Sequence, residues 1–317
     1  MTLEVLCFGE ALIDMRGERV AGQSRFIPQP GGAPANVAVG VAKLGGRSRF
    51  AGQVGADVFG DNIVASLSAH GVDTSLLIQS PSARTALSIV ALDDSGERSF
   101  TFYRTGTADL QYRSEQMPDA AFAGKPIFHF CSNTLTEPAI LQVTLALVRR
   151  ARDAGCLISF DVNFRELLWP DPDQAPEWIR SMAAEADVVK FSREELVALY
   201  GDQGDRVIRE LRQQGVLLVL VSDGPNVLCA WSGEGLHQLR PPAVTAVDTT
   251  AAGDAFVAGF LYRLATHGVG KSQLGPWLRQ AGNLDAALAF ASRCGAVAAT
   301  RYGAFDALPL QVDLQAI

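Results

Sequence analysis

No stretch of this 317-residue chain is apolar for long enough to cross a bilayer. Its clean apolar runs, such as Val216–Val221, fall far short of the roughly 18 residues that a span requires. Basic charge is scarce too: 27 Lys and Arg stand against 34 Asp and Glu, a net charge of −7 with the four His neutral. That balance excludes a dedicated nucleic-acid binder, whose surface would be basic. A phosphate-bearing small ligand needs only a local cluster and stays open. Cysteine is sparse and odd in number (Cys7, Cys131, Cys156, Cys229, Cys294). With no Cys-x-x-Cys pair and no Cys/His cluster, a disulfide framework and a zinc site are excluded. Thiols set mostly in apolar stretches are expected to be buried and reduced. His70, His129, His237 and His267 show no ligand spacing and read as structural or surface residues. The start, MTLEVLCFGEALIDM, carries Glu4 and Glu10, without a basic opening or a small-residue cleavage site, so it does not read as a signal peptide. The expected setting is the cytoplasm. Repeats and low-complexity segments are absent as well.

What is present is a globular composition, 48% hydrophobic and 19% charged, with ample material for a core. The length fits two domains of about 150 residues or one large α/β domain; the reading adopted is one domain over 1–317. Val5–Phe8, Ile127–Phe130, Leu157–Phe160, Asp187–Phe191 and Val216–Val221 read as short buried strands. Pro34–Leu44, the segment marked by Phe59, Ile63 and Leu67, Pro138–Ala154, the stretch from Arg193, Ala252–Ala265 and Leu284–Thr300 read as helices. Apolar strands alternating with helices predict an α/β fold: a mainly parallel central sheet with helices on both faces.

Two pieces break the alternation. Thr85–Leu92 and Ser99–Arg104 alternate about a turn at Asp93-Asp94-Ser95-Gly96, which predicts an antiparallel hairpin. Residues 16–29 are polar and extended. Insertions at about 16–29 and 85–105 are expected to form a small β-sheet carrying Phe26, Phe100, Phe102 and Tyr103. That is more aromatic surface than a solvated flap needs, so the pieces read as a lid over the sheet's carboxyl edge, or as a hairpin packed on the body.

Chemistry concentrates at Asp248-Thr249-Thr250-Ala251-Ala252-Gly253-Asp254-Ala255-Phe256. An extended piece enters three small residues and then a helix. Small residues let a ligand approach the backbone, and the first turn of a helix offers unpaired N–H groups at its positive end. Ala251, Ala252 and Gly253 can thus aim amides at one anion. Asp254 beside them reads either as ordinary helix-start chemistry or as a base placed next to a phosphate. The second arrangement suits phosphoryl transfer, where positioning and charge stabilisation carry the catalysis.

This segment resembles the carboxyl-terminal signature of the ribokinase-like (pfkB) carbohydrate kinases. Gly31-Gly32-Ala33-Pro34-Ala35-Asn36-Val37-Ala38 is similar to the other signature of that family. Further similarity lies in Gly9–Asp14, Asp161-Val162-Asn163-Phe164-Arg165 and Gly295–Pro309, so the resemblance spans the whole chain. Phe100–Arg104 with Ala108-Asp109 looks most like the fructokinase branch. The resemblance implies a ribokinase-like fold and ATP-dependent phosphorylation of a sugar hydroxyl. It makes Asp254 the catalytic base and Ala251, Ala252 and Gly253 the anion hole. Asp14, Gly31, Gly32 and Asn36 fall at sugar-binding positions. Ala251 departs from the commoner Gly but still offers its amide.

The remaining candidates have physical readings of their own. A carboxylate at Asp14, at a strand's carboxyl end, accepts from two hydroxyls. Asn36 both donates and accepts. Arg165 follows strand Leu157–Phe160 and can clamp phosphate, or pair with Asp161 or Glu166. Arg104 ends the lid hairpin, where it reaches sugar or phosphate on closure or is a surface charge. Lys190 ends its strand facing nucleotide phosphates. Ser192-Arg193-Glu194-Glu195 forms a capping box. The resemblance gives Glu195 a magnesium role through water, although Ser192 stands where the family often has Asn. Ser222 and Gly224 match a nucleotide-side loop. Asp248 and Thr250, with backbone near Ala298 and Gly303, match a potassium site.

The expected activity is therefore that of a fructose-phosphorylating kinase using ATP and Mg²⁺, with K⁺ as a further cation. Its ligands are small molecules, not nucleic acid or membrane, and a homodimer through the lid is expected. A 2-keto-3-deoxygluconate kinase, for which two arginines would meet a carboxylate, and a ribokinase are the alternatives. A nucleoside kinase fits the Phe100–Arg104 stretch less well. A non-catalytic sugar- or nucleotide-binding regulator is the reading from another class, against which Asp254 and its amide cradle stand.

Overall fold

The computed structural model describes residues 2–20, 23–92 and 98–315. The chain opens with β1 (Glu4–Phe8), β2 (Leu12–Val20) and β3 (Gln23–Gly31), then α1 (Ala33–Lys43), β4 (Arg47–Gly55), α2 (Val58–Ala69) and β5 (Asp73–Ser80). β6 (Leu87–Leu92) and β7 (Arg98–Tyr103) follow, then β8 (Ile127–Cys131), α3 (Pro138–Asp153), β9 (Leu157–Asp161), α4 (Ala175–Ala183) and β10 (Val188–Ser192). Next come α5 (Arg193–Tyr200), α6 (Gly204–Gln213), β11 (Leu218–Ser222), β12 (Leu228–Ser232) and β13 (Gly235–Leu239). The chain closes on α7 (Ala252–Thr266), α8 (Lys271–Leu278) and α9 (Asn283–Ala299).

Among the described residues the strands form two sheets. The larger has nine strands in the order β13-β12-β11-β10-β9-β8-β1-β4-β5. Its pairings are parallel from β5 to β11 and antiparallel at β12 and β13, as the alternation of strands and helices predicts. Side chains on a strand point alternately to the two faces. Val5, Cys7, Ile127 and Leu157 join one buried cluster, with residues of α1, α7 and α9. Leu6, Phe8, Phe128, Phe130 and Phe160 join another, with residues of α3, α4, α5 and α6. Phe130 stacks on Phe160 at 5.0 Å and Phe128 meets Phe122 edge-on at 5.7 Å, geometries that aromatic quadrupoles favour. All five cysteines are buried and free. His129 is buried, where loss of hydration lowers its pKa to about 3, so it is neutral and structural. No helix among the described residues is long and apolar enough to cross a membrane.

Strand order reverses beside β1. The chain first builds outward through β4 to β5, then returns to β8 on the other side and continues to β13. Such a reversal opens a crevice at the carboxyl ends of the strands. β1, β8, β9, β10 and β11 all deliver polar residues there: Glu10, Ser132 and Asn133, Asp161, Lys190 and Ser222.

The smaller sheet has the order β3-β2-β6-β7. Two antiparallel hairpins are joined by a parallel β2–β6 pair, in which Asp14 lies opposite Ser88. The first hairpin runs from Leu12 to Gly31 and is longer than the expected 16–29. The expected turn at Asp93–Gly96 lies outside the described residues. Phe26 and Tyr103 are exposed, whereas Phe102 packs against the core. The strand expected at Val216–Val221 begins only at Leu218, because the Val216 N–H donates to the Leu211 carbonyl and closes α6.

Candidate active site

Asp254 lies in the first turn of α7, and Asn36 one turn into α1. Gly32 caps α1 at φ 107°, a conformation that L side chains rarely adopt, and a Cβ there would stand 2.6 Å from the Glu10 carbonyl oxygen. α1 and α7 then cross closely, since a Cβ on Gly40 would stand 2.6 Å from the Ala258 Cβ. Asn36 and Asp254 are each one helical turn before that crossing. The Asn36 Nδ2 donates to Asp254 Oδ2 at 2.7 Å, across 218 residues of sequence. The two segments singled out in the sequence therefore meet at one hydrogen bond.

Burial is the main cause that pushes the Asp254 pKa up to about 7. The bond from Asn36 pulls it back, Asp161 adds repulsion, and Arg165 and Lys190 draw it down. A carboxylate with a pKa near 7 suits a general base. Burial likewise raises Asp14 to about 6, opposed by a bond from Ser88 and helped by Asp248 and Glu10. Asp14 stands over Gly31, where a Cβ would lie 2.5 Å from Asp14 Oδ2.

Asp254 also lines a cavity of about 550 Å³. Its charged end holds Asp161, Arg165, Lys190, Glu195 and Asp254; Pro241, Pro242, Val244, Ala246, Ala296 and Ala299 contribute apolar walls. Ser222, Gly224, Thr250, Ala252 and Gly253 also line it. Asp14, Gly31, Gly32, Asn36 and Arg104 do not line it, and of these Asn36 bonds to Asp254.

The anion cradle differs in detail from the expected three amides. Ala252 and Gly253 reach the cavity wall, while Ala251 is buried. The Ala252 N–H donates to the Thr249 carbonyl at 3.2 Å, so one expected donor already has a protein acceptor. Lys190 reinforces the cradle: its Nζ lies 3.5 Å from where a Cβ on Gly253 would be. It also pairs with Asp161 at 3.0 Å, directly across the β9–β10 ladder. Burial works against the lysine's charge, but Asp161, Glu195 and Asp254 outweigh it and hold its pKa above the ordinary value.

Arg165 makes neither of the ion pairs weighed from sequence, because Asp161 pairs with Lys190. Arg165 is exposed and donates to the Phe164 carbonyl at 3.2 Å. Arg104 is no surface charge. It is 6% exposed, pairs with Asp109 at 2.6 Å, and donates to the Asn133 carbonyl at 2.8 Å and to Thr136 Oγ1 at 3.1 Å. The capping box is present: Ser192 Oγ accepts from the Glu195 N–H, and Glu195 Oε2 accepts from the Ser192 N–H. No group of three or more potential metal-ligating side chains occurs among the described residues. Glu195, the residue matched to a magnesium role, lines the same cavity. Asp248 Oδ1 accepts from the Thr250 N–H and Oγ1, and Oδ2 accepts from the Gly303 N–H at 3.2 Å. The positions matched to a potassium site are thus together. Asn133 was not named from sequence; Asp161 and Glu10 lay in segments similar to the family but were given no role in the site.

A buried carboxylate beside helix-start amides, at a strand-order reversal, is the arrangement that a phosphotransferase would use. The chain belongs to the pfkB family of carbohydrate kinases, whose model matches residues 2–311. It is 39% identical to probable fructokinase-5 of Arabidopsis thaliana, over 98% of this chain and 96% of that one. The solved fructokinase of Xylella fastidiosa with bound ATP superposes with a TM-score of 0.94 at 40% identity, covering 100% of this chain and 98% of that one. The fructokinase of Vibrio cholerae O395 with fructose, ADP and calcium ion superposes at 0.88 and 35% identity, covering 99% and 98%.

Proposed function

We propose that this protein transfers the γ-phosphoryl group of ATP to D-fructose, giving D-fructose 6-phosphate and ADP. The observation that carries the chemistry is Asp254, buried, held by Asn36 at 2.7 Å and raised to about 7. The choice of sugar rests on the likeness to fructokinases, one of them with fructose and ADP.

In this reading the sugar lies against Asp14, Gly31, Gly32 and Asn36, and the nucleotide fills the cavity. Asp254 takes the proton of the sugar hydroxyl as its oxygen forms a bond to the γ-phosphorus. The bond from that phosphorus to the bridging oxygen breaks, and the electron pair leaves with ADP. The Gly253 N–H, Lys190 and Arg165 stabilise the charge spread over the transferring group, with Ala252 at the cavity wall beside them. Ser222 and Gly224 bound the nucleotide side. Magnesium, when bound, would offset the charge of the phosphates, and Glu195, which lines the cavity, would hold its waters. Potassium, when bound, would be held at Asp248 and Thr250 and would add positive charge near the phosphates. The Arg104 bonds to protein partners weigh against the sugar-acid reading, which relied on two free arginines. The same proposal has the protein working in the cytoplasm, where thiols stay reduced, and dimerising through the lid at Phe26 and Tyr103.

The deciding experiment is a coupled ADP-release assay over fructose, ribose, 2-keto-3-deoxygluconate and adenosine. Fructose is expected to give the highest kcat/KM. A higher value for another acceptor overturns the choice of sugar, and no acceptor-dependent ADP release overturns the kinase reading.

A further inference from the structure

Glu10 lies in the turn between β1 and β2, is 1% exposed, and does not line the nucleotide cavity. Its Oε1 accepts from the Ala33 N–H at 3.1 Å and from Asn133 Nδ2 at 2.9 Å. The Cys131 Sγ approaches its carboxylate at 3.7 and 3.8 Å. The first of these bonds fills a gap. α1 starts at Ala33, and its N-cap Gly32 supplies no side-chain cap. A helix leaves its first N–H groups without internal partners, and Glu10 serves one of them from another element.

The second bond leads to the lid. The Asn133 carbonyl accepts from Arg104, and Arg104 ends the β6–β7 hairpin with Asp109 and Thr136 as its other partners. A continuous buried path therefore runs from the base of the lid through Arg104, Asn133 and Glu10 to the first turn of α1. One turn on, Asn36 donates to Asp254. Burying a carboxylate is costly unless it is bonded and faces a counter-charge. Arg104 and Asn133 both act to keep Glu10 ionised against its burial.

We propose that Glu10 is a positioning residue for phosphoryl transfer: its carboxylate ties the base of the lid to the start of α1 and so sets the Asn36–Asp254 hydrogen bond. It is 1% exposed and acts through Ala33 and Asn133. The inference rests on the reading of Asp254 as the base. Asp161 at the end of β9, Arg165 in the loop that follows, Lys190 on β10 and Cys131 at the end of β8 also act on or feel Asp254. None of these is altered by the test.

The test compares Glu10→Ala, Glu10→Gln, Asn36→Ala and the Glu10→Ala/Asn36→Ala double variant, reading kcat, the two KM values and the acid limb of kcat against pH. The Asn36 bond lowers the Asp254 pKa, so removing it moves that limb to higher pH. Asn36→Ala is expected to shift it up by about one unit. Glu10→Ala is expected to move it the same way by about half a unit and to lower kcat about tenfold, the scale of a small misplacement, with KM for ATP nearly unchanged. Glu10→Gln, which keeps an acceptor oxygen for the Ala33 N–H, is expected to restore most of the rate. In the double variant the Glu10 substitution should add little further shift. If Glu10→Ala does not accumulate folded, Ala33→Pro deletes the same N–H at a helix position that tolerates proline and is read the same way. A limb shifted by Asn36→Ala but unmoved by the Glu10 or Ala33 variant overturns the proposal. A limb unmoved by Asn36→Ala overturns the assignment of the base instead.

Discussion

At the scale of single residues the site is a balance of buried charges. Asp254→Asn is expected to lower kcat by roughly 10²-fold or more, with ATP affinity by calorimetry little changed. The wild-type rate should rise through about pH 7, where Asp254 ionises. The same shift has a cost in stability. The folded pKa of about 7 lies above the ordinary 3.8, so the folded protein holds this proton more tightly than the unfolded chain. That contribution is fully present below about pH 4 and is lost as pH rises towards 7. Asp254→Asn is therefore expected to raise Tm at pH 8 and to change it little at pH 4; equal shifts at both pH values would refute the raised pKa. Asp161→Asn removes the partner of Lys190 and is expected to raise KM for ATP several-fold more than KM for the sugar. Steady-state kinetics at pH 8 measures both. These pairings were hard to read from sequence. Asp161 and Lys190 are neighbours only because β9 and β10 pair in one register, and register across a parallel crossover leaves no local mark. Asp254 and Asn36, by contrast, sit in segments whose small residues advertise a close approach.

At the scale of elements, the α1–α7 crossing sets the catalytic geometry. Gly40→Ala puts a methyl 2.6 Å from Ala258 and is expected to cost about 1–3 kcal/mol by overpacking, with a larger loss of kcat than of ATP affinity. Ala258→Gly in the same chain should recover both. Recovery of Tm without recovery of rate would mean that the crossing does not set Asn36 on Asp254. The elements legible in the sequence were the apolar strands β1, β8, β9 and β10, the helices α1 and α3 and the start of α5, whose boundaries fall within a residue or two of expectation; α4, after β9, was not expected. β4 was not, because Arg47–Gly55 mixes Arg, Gln and Gly into a strand that the sheet nonetheless buries. Its place beside β1 comes from tertiary packing, which overrides local propensity.

At the scale of the whole molecule the question is whether the four-stranded sheet moves against the nine-stranded one. Closure over sugar would exclude water and complete the site. Sugar is then expected to slow hydrogen exchange in Leu87–Leu92 and Arg98–Tyr103 while leaving Leu157–Asp161 and Leu218–Ser222 unchanged. Unchanged exchange at saturating sugar would make the small sheet a fixed wall. Arg104→Ala is no clean probe of closure, because it strands Asp109 without its ion-pair partner and removes the charge facing Glu10, at a cost of about 3–5 kcal/mol for breaking a buried pair. The hairpin pattern revealed that a second sheet exists. That its two halves join through β2 and β6 depends on contacts far apart in the chain.

The hydrogen bond between Asn36 and Asp254 also sets a schedule. A ribosome adds about 5–20 residues each second, so the 218 residues between them take on the order of 10–40 s to emerge. Through that interval the growing chain has half of the pair and no base at all. Its α1 waits with its partner face uncovered until α7 arrives. Loop closure over so long a separation is slow relative to local helix formation, so competence for phosphoryl transfer is a late event in the life of each molecule. A nascent chain that stalls before Asp254 lacks the carboxylate on which the proposed transfer depends.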